Sequence, residues 1–303
     1  MSQSIQEYSP PPQPAIIQEP EVKSLSPRAM FWRQFKRHKA ALIAIFVLAM
    51  MILMCFLAPI TAPYEYDEID LRNTKQPPSK EHIMGTDDLG RDLYTRILYG
   101  GRISLSIGIF AALVGTLLGT FIGATAGFYG HRVDNSLMRF TDIAFAIPTL
   151  PLLIVISSYS RASLAMMILV IGALSWMATT RVVRGSVLSI KEQEFITAAR
   201  MIGLRNSRII FRHIIPNTLG PIVVGATLCV GAAIITESAL SFLGLGVQPP
   251  TPSWGNMLMD SQTTMASKPW LTIFPGLAIL VTVLCINFIG DGLQDALDPT
   301  QRR

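Results

Sequence analysis

Residues Ala40–Ile60 read AALIAIFVLAMMILMCFLAPI, a stretch of the chain without a single charged side chain. A helix of about 20 residues rises about 30 Å, which matches the thickness of the hydrocarbon core of a bilayer. A helix buried in a soluble core does not need an uncharged stretch of that length. The stretch therefore predicts a membrane-spanning helix.

Similar stretches recur along the chain of 303 residues, of which 50% are hydrophobic and only 15% are charged. Soluble domains carry about 25% charged residues. Five more apolar segments follow the first one, at about 103–127, 140–159, 162–180, 217–243 and 270–290. The sequence therefore predicts an all-α integral membrane protein with six transmembrane helices, the first at about 40–60.

A cleaved signal peptide is the alternative interpretation of the first stretch, because the small residues of Ala58–Ala62 resemble a cleavage site. The apolar region of a signal peptide, however, has about 7–15 residues and lies close to the N-terminus. Here the stretch is longer and begins far into the chain. These features favour an uncleaved first span.

The segment before the first span has a different composition. Residues 1–27 are rich in Pro, Gln, Ser and Glu, which predicts a disordered tail because such a segment buries too little apolar surface to offset its ordering entropy. The stretch Phe31–Lys39 interleaves aromatic and basic residues, as is typical of a membrane interface. We therefore divide the chain into a tail with an interfacial basic segment, 1–38, and a transmembrane domain, 39–303.

The formal net charge of +5 admits a nucleic-acid-binding interpretation, but the basic residues are distributed as a membrane topology requires. With a cytoplasmic N-terminus, 17 of the 25 Lys and Arg residues lie on the cytoplasmic side, and the short outer connections contain almost none. Cytoplasmic loops of membrane proteins carry such an excess. We therefore expect a multi-pass protein of the cell membrane, in contact with lipid, with both termini cytoplasmic and no nucleic-acid partner.

Four glycines of the second apolar segment, Gly115, Gly119, Gly123 and Gly127, follow one another at intervals of four residues. This spacing places them on one face of a helix. Small residues let helix backbones approach closely in lipid, where no hydrophobic effect drives helices together. The pattern predicts a tightly packed helix and gives no information on a substrate.

No sequence motif indicates catalysis or cofactor binding. The chain contains no GxxxxGK[ST] loop for nucleotide phosphates, no GxGxxG, no GxSxG and no HExxH. Its three cysteines lie in apolar segments, its four histidines are scattered, and GTDDLGRD lacks the alternating carboxylates of a calcium loop. We therefore expect no enzyme, no metal and no cofactor, and energy for transport would have to come from another subunit or an ion gradient.

The long inner segment Lys191–Asn217, KEQEFITAARMIGLRNSRIIFRHIIPN, connects two predicted spans. Connections between helices usually take about 2–8 residues. Gly203 is suited to end a first short helix, Asn206 or Ser207 to cap a second one, and Pro216 to break the second helix before the next span. The segment therefore predicts a helix–turn–helix on the cytoplasmic side.

One face of the first short helix combines small and apolar residues, namely Phe195, Ala198, Ala199 and Ile202. The alanines allow another surface to approach closely, which favours docking to a partner protein. Four arginines of the segment can pair with acidic groups of that partner or remain solvated, and they are Arg200, Arg205, Arg208 and Arg212.

The same segment resembles the EAA loop of the permeases of binding-protein-dependent ABC importers. Thr197–Ala199, Gly203 and Ile215–Pro216 match the spacing of that motif. Its Glu, an Ile and its Leu are replaced here by Thr197, His213 and Ile215. The glycine and the helix–turn–helix geometry carry the resemblance.

The resemblance extends over most of residues 30–299 and is closest to the second permease of the dipeptide, oligopeptide and nickel importer group. The stretches that carry it are His82–Leu105, Ala126–Leu153, Leu240–Leu258 and Phe274–Pro299. Trp254, in the third of these stretches, is interpreted as an anchor at the membrane interface.

The resemblance implies a six-span permease fold with cytosolic coupling helices. It also implies a second homologous permease subunit, two cytosolic ATP-binding subunits and an extracytoplasmic substrate-binding protein as partners, which together import dipeptides or oligopeptides. Relatives in the group carry nickel chelates, glutathione or opines, so these substrates remain open. The residues that would couple the permease to the ATP-binding subunit are Thr197, Ala198, Ala199, Gly203 and Pro216.

Glu237 lies inside the fifth apolar segment, within AAIITESALSF. An ionisable residue in hydrocarbon is energetically costly and commonly functional. Two interpretations stay open: a place on the translocation pathway or a gate, and a carboxylate that is paired within the bundle or reaches an aqueous outer cavity.

A secondary transporter or a channel is the alternative class of function. It would require paired titratable residues near the middle of the membrane and inverted repeats. Neither feature is visible in the sequence, which favours the ATP-driven importer.

Overall fold

The computed structural model describes residues 27–159 and 163–297, and the predicted disordered tail lies outside these residues up to residue 26. All regular secondary structure in the described residues is helical. The helices are α1 (Pro27–Phe35), α2 (Lys39–Phe56), α3 (Ala58–Thr61), α4 (Leu93–Tyr129), α5 (His131–Ala146), α6 (Thr149–Tyr159), α7 (Leu164–Ala173), α8 (Trp176–Ile190), α9 (Glu194–Met201), α10 (Asn206–Ile209), a π-helix (Ile210–Ile214), α11 (Ile215–Asn217), α12 (Leu219–Phe242), α13 (Trp254–Ser261) and α14 (Trp270–Leu297).

Four helices are long and apolar enough to cross a membrane: α2, α4, α12 and α14. Two more crossings result if each of two bent helix pairs counts as one span. These pairs are α5 with α6, bent by 78°, and α7 with α8, bent by 44°. The predicted all-α membrane class is confirmed, with four to six spans among the described residues.

The third and fourth predicted spans are not straight helices. Between α5 and α6, Ile147 has an extended backbone with a ψ of 124°, the conformation that a following proline imposes. Pro148 therefore ends α5. In the other pair, α8 continues to Ile190, ten residues beyond the predicted end of the span, because a helix can continue as an amphipathic segment where its hydrophobic part stops.

Helix α4 has 37 residues and its glycine face lies directly against α7 and α8. A methyl group added at Gly119 would lie 2.7 Å from the carbonyl oxygen of Trp176, and one added at Gly123 would lie 2.5 Å from that of Thr180. Real side chains do not approach backbone atoms so closely, so only glycine permits this contact. The prediction of a packing face is confirmed.

A second close contact lies near the start of α4. Trp254 is completely buried, its ring packs over Gly101, and its indole Nε1 donates to the carbonyl oxygen of Ile97 at 3.0 Å. The interpretation of Trp254 as an interfacial anchor is therefore wrong. The Gly100–Gly101 pair leaves the space that the indole ring fills, and burial of the ring fixes α13 on α4.

The polar residues 62–92, between α3 and α4, are held in place by ionic groups. The Asp87 carboxylate lies 2.7 Å from Nε of Arg91 and 3.3 Å from Nε of Arg96. Asp260 of α13 lies 3.8 Å from both guanidinium groups. Burial raises the pKa of Asp260, although both arginines counteract this effect. Asp87 of GTDDLGRD thus joins this segment to α4, and the two arginines join both to Asp260 of α13.

We expect Gly123→Ala to lower the free energy of unfolding by about 1–3 kcal/mol, because relief of the clash with α8 requires α4 to move away. Gly185→Ala, in α8, is the matched control, since nothing lies within 4 Å of its added methyl group. Thermal unfolding of the purified protein in detergent measures both variants. Equal melting temperatures would contradict the tight packing of α4 on α8.

Candidate functional site

The candidate coupling segment, residues 191–217, contains a short helix that ends in a glycine turn. Gly203 follows α9 with a φ of +77°. Its amide donates to the carbonyl oxygen of Arg200 at 3.0 Å, and the Leu204 amide donates to that of Ala199 at 3.2 Å. This pair of bonds is a Schellman motif, which satisfies the last carbonyl groups of a helix and requires a left-handed residue. The prediction that Gly203 ends the first helix is confirmed.

One side of the coupling segment packs against its own bundle. Ile196 and Ala199 of α9 are buried, together with three isoleucines of the following turns, Ile209, Ile210 and Ile214. They form one apolar cluster with residues from the ends of three membrane helices, namely Ala124 and Phe128 of α4, Val183 and Val187 of α8, and Ile222 of α12. The segment is therefore attached to several helices at once.

The other side of α9 is exposed and partly apolar. The exposed fractions are 41% for Phe195, 76% for Ile202 and 84% for Met201. Helical spacing predicts Ala199 on this face, but Ala199 is turned toward the bundle beside Ile196. Thr197 and Ala198 are exposed. The predicted face is thus divided, and only its outward part is accessible to a partner.

The start of the second half of the segment differs from the prediction. Neither Asn206 nor Ser207 caps a helix, because α10 begins at Asn206 itself and Arg205 occupies the cap position without a side-chain hydrogen bond. The two residues are exposed. The predicted cap is wrong because Asn206 lies one position after the N-cap and is already the first residue of α10.

Pro216 does not break the second helix. The chain passes through the π-helix and α11 into α12, with only Thr218 outside the helical segments. A proline lacks the amide donor and displaces the carbonyl group one turn earlier. The wider π turn directly before Pro216 accommodates the ring, and the side-chain amide of Asn217 donates to the carbonyl oxygen of His213 at 2.5 Å. The coupling segment and α12 are therefore nearly continuous.

Two cationic side chains join the coupling segment to the end of α4. Nζ of Lys191 donates to the carbonyl oxygen of Gly127 at 3.1 Å, which stabilises the carboxyl end of that helix. The Arg200 guanidinium lies 5.3 Å from the centroid of the Phe128 ring, so Arg200 is not simply solvated. The other three arginines of the segment are exposed, and they are Arg205, Arg208 and Arg212.

Near the same end of the bundle, two ion pairs join α5 to α8. Arg184 forms two hydrogen bonds with Asp134, one of them 2.6 Å long, and Arg181 lies 2.7 Å from Asp142. The second pair is about half exposed, so its contribution to stability is small. The ion pair of Arg184 with Asp134 has two hydrogen bonds and is the stronger of the two, and it fixes α5 on α8.

Glu237 is completely buried and is surrounded by serine hydroxyl groups. Ser104 Oγ donates to Oε2 at 3.0 Å, Ser241 Oγ donates to Oε1 at 2.7 Å, and Ser238 Oγ lies 3.4 Å from Oε2. Ser253 Oγ donates in turn to Ser241 Oγ at 3.4 Å. We call Glu237 and these four serines the Glu237 cluster.

The Glu237 cluster joins three parts of the chain at the end of the bundle opposite to the coupling segment. Ser104 belongs to α4, Glu237 to α12, and Ser253 directly precedes α13. Ser104 Oγ also accepts the Trp254 amide at 3.2 Å. The carboxylate is therefore enclosed within this subunit, where it holds the start of α13 against two membrane helices.

Helical spacing could reveal only part of this cluster. Ser238 and Ser241 follow Glu237 by one and four positions, so the sequence places Ser241 beside it. Ser104 is separated from Glu237 by 133 positions, and no periodicity connects the two. Ile196 does not belong to the predicted face of α9, although a count of apolar residues on the opposite side of this helix could have found it.

We expect Glu237→Leu to lower the free energy of unfolding by about 2 kcal/mol or more, because it leaves buried serine hydroxyl groups without their acceptor. Glu237→Gln is the matched control, since it keeps a carbonyl acceptor of nearly the same volume. We expect the control to change the free energy of unfolding by less than about 1 kcal/mol. Equal losses in the two variants, measured by thermal unfolding in detergent, would show that the negative charge is what matters.

Comparison with known proteins agrees with this architecture. Residues 100–303 match a family described as binding-protein-dependent transport system inner membrane component. Residues 26–78 match the N-terminal TM domain of oligopeptide transport permease C. These two matches include α1 to α3, all of α4 except its first two turns, and α5 to α14.

Several curated proteins are similar to the chain along almost their whole length. A dipeptide transport system permease protein of Alkalihalophilus pseudofirmus is 43% identical over 294 residues, which cover 97% of this chain and 95% of that protein. An oligopeptide transport system permease protein of Bacillus subtilis is 39% identical, with 96% and 97% covered. A glutathione transport system permease protein of Pectobacterium atrosepticum is 41% identical, with 94% of both covered. The chain therefore belongs to the binding-protein-dependent transport system inner membrane components and is a transmembrane permease subunit of an ABC importer.

Proposed function

We propose that this permease subunit imports peptides through the inner membrane, driven by ATP-binding subunits that dock on the coupling segment. The observation that carries the proposal is the exposed apolar side of α9, on a segment whose other side is anchored in the bundle. Similarity to dipeptide and oligopeptide permeases supports the substrate class.

Glutathione is a second candidate substrate, because a glutathione permease protein is 41% identical to this chain. Glutathione is a modified tripeptide, so it shares an ammonium group and carboxylates with ordinary peptides. Nickel chelates differ from peptides because they contain a metal ion, and opines differ because they carry a secondary ammonium group in place of the primary one. ATP-driven uptake of labelled dipeptide, oligopeptide, glutathione and nickel into vesicles with the complete importer tests the proposal. Uptake of nickel without uptake of any peptide would overturn it.

The proposed assembly contains a second homologous permease subunit, two cytosolic ATP-binding subunits and an extracytoplasmic substrate-binding protein. The description of the family as binding-protein-dependent supports the last of these. Exposed apolar side chains in the coupling segment support the ATP-binding subunits, because such side chains in water favour an interface. Four to six helices enclose a gated path poorly, which supports the second permease.

We propose that the ATP-binding subunit contacts Thr197, Ala198, Gly203 and Pro216, which are all exposed. Ala199 is buried and takes part through its packing. Since the buried side of the segment contacts α4, α8 and α12 together, displacement of the segment moves three helices. The higher affinity of ATP for one of two states supplies the free energy of the change.

Glu237 acts on the translocation pathway indirectly in this proposal. Its carboxylate is enclosed, so it does not itself contact the substrate. It holds the segment between α12 and α13 against α4, and that segment lies at the end where the substrate enters. Glu237 is therefore a positioning residue for the outer side of the pathway.

The proposed orientation places the coupling segment in the cytoplasm and the polar residues 62–92 outside. The excess of Lys and Arg on the coupling side supports it. Single cysteines at Lys80 and Asn206, both exposed, should react with impermeant reagents from opposite sides of intact cells and inverted vesicles. The background variant lacks Cys55, Cys229 and Cys285. Reaction of both probes from the same side would contradict this topology.

We expect Gly203→Val to leave the protein in the membrane but to weaken binding of the ATP-binding subunit and to abolish uptake. No atom lies within 4 Å of an added Cβ at this position, so the cost is that of the left-handed backbone, about 1–2 kcal/mol. The turn rearranges, while the bundle keeps its packing. Copurified ATP-binding subunit per permease and peptide uptake are the measurements.

Gly203→Asn is the control for this variant, because asparagine tolerates the left-handed conformation. It should retain binding and uptake close to those of the unaltered protein. Normal recovery of the ATP-binding subunit with Gly203→Val would show that this turn is not the coupling element.

A further inference from the structure

Arg102 presents a guanidinium group between aromatic rings near the start of α4. Its Cζ lies 5.7 Å from the centroid of the Tyr99 ring and 6.0 Å from that of Phe56. Among the described residues, no carboxylate forms an ion pair with it. The aromatic rings orient the group and leave its donors available. Arg96, six residues earlier in α4, is instead buried among carboxylates.

A cavity of about 340 Å³ opens in front of Arg102. Tyr66, Tyr99 and Phe56 supply its aromatic wall, and Thr251, which follows α12, borders it. Ligand sites commonly combine such apolar walls with a few polar groups of fixed orientation. A guanidinium group in this setting is suited to bind a carboxylate through two parallel hydrogen bonds.

A second cavity, of about 530 Å³, adjoins the first and shares Tyr66 and Tyr99 with it. Three carboxylates line it, those of Glu65, Asp67 and Glu68. An ammonium group is the natural ligand of such a cavity. A positive charge therefore lies in one cavity and negative charges lie in the other, with the rings of Tyr66 and Tyr99 between them.

We propose that the two cavities form a receiving site for free peptides, in which Arg102 binds the terminal carboxylate and Glu65, Asp67 and Glu68 bind the terminal ammonium group. The proposal rests on the proposed import of peptides and on the proposed orientation, which places this end of the bundle outside. The site binds the two charged termini that every unblocked peptide carries, and its aromatic wall accommodates different side chains.

The experiment compares uptake of a tripeptide with uptake of its C-terminally amidated form by the complete importer, with its binding protein, in vesicles. Arg102→Gln should reduce the preference for the free peptide by about tenfold, the typical effect of losing a charge-assisted bond. Arg72→Gln is the matched control, because Arg72 is an exposed arginine of residues 62–92, at the same end of the bundle but outside both cavities, and it should keep the preference. The binding protein reads the peptide equally in all variants, so the ratio reports on the permease.

A second variant tests the other cavity. Replacement of Glu65 by Gln, Asp67 by Asn and Glu68 by Gln should reduce the preference for a free over an N-acetylated tripeptide by a similar factor. All three side chains are exposed, so this variant folds even where Arg102→Gln does not. Unchanged preferences in both variants would overturn the receiving site.

A zwitterionic lipid headgroup carries the same two charges, and the comparison separates it from a peptide. If the site held lipid, Arg102→Gln would lower uptake of both tripeptides equally, and the loss would depend on the phosphatidylethanolamine content of the vesicles. That result would overturn the proposal. If the unaltered importer took up no peptide, the proposed substrate class would fail instead, which is a distinguishable outcome.

Discussion

The close approach of α4 to α7 and α8 is the contact on which the rest of the structure depends. In lipid, association of helices has to come from packing and hydrogen bonds, and the glycine face of α4 brings backbone against backbone over about three turns. The same helix extends beyond this contact at both ends. Phe128 joins it to the coupling segment, and Ser104 joins it to the Glu237 cluster. Helix α4 thus connects the coupling segment with the Glu237 cluster.

The two ends of α4 are held mainly by different kinds of interaction. The coupling segment is attached mainly by an apolar cluster of isoleucines and valines, which has no preferred direction, and in addition by the hydrogen bond from Lys191 to Gly127. The opposite end is attached by directional contacts: the hydroxyl groups around Glu237 and the ionic groups around Asp87. Such contacts exist in one geometry or not at all. A displacement of α4 would therefore act mainly on apolar packing at one end and mainly on directional contacts at the other.

The sequence predicted features that depend on local order and missed those that depend on distant residues. Apolar segments, the glycine face and the turn at Gly203 follow from spacing and composition, and the structure has all three. Proline has opposite effects at two positions. It ends a helix at Pro148, whereas the helical segment continues through Pro216, where a wider π turn precedes the proline. Burial of Trp254 depends on glycines about 150 positions away, and no local pattern contains that information.

The outward side of α9 has a consequence for the life of the subunit before assembly. Ile202 and Met201 are largely exposed on a segment outside the membrane helices, so no lipid covers them. A subunit that is synthesised without its partners exposes an apolar surface to water, where chaperones and proteases recognise apolar side chains. In the proposed assembly the ATP-binding subunit covers this surface, so balanced synthesis of the two subunits would protect it, and recombinant production of this chain would benefit from their coexpression.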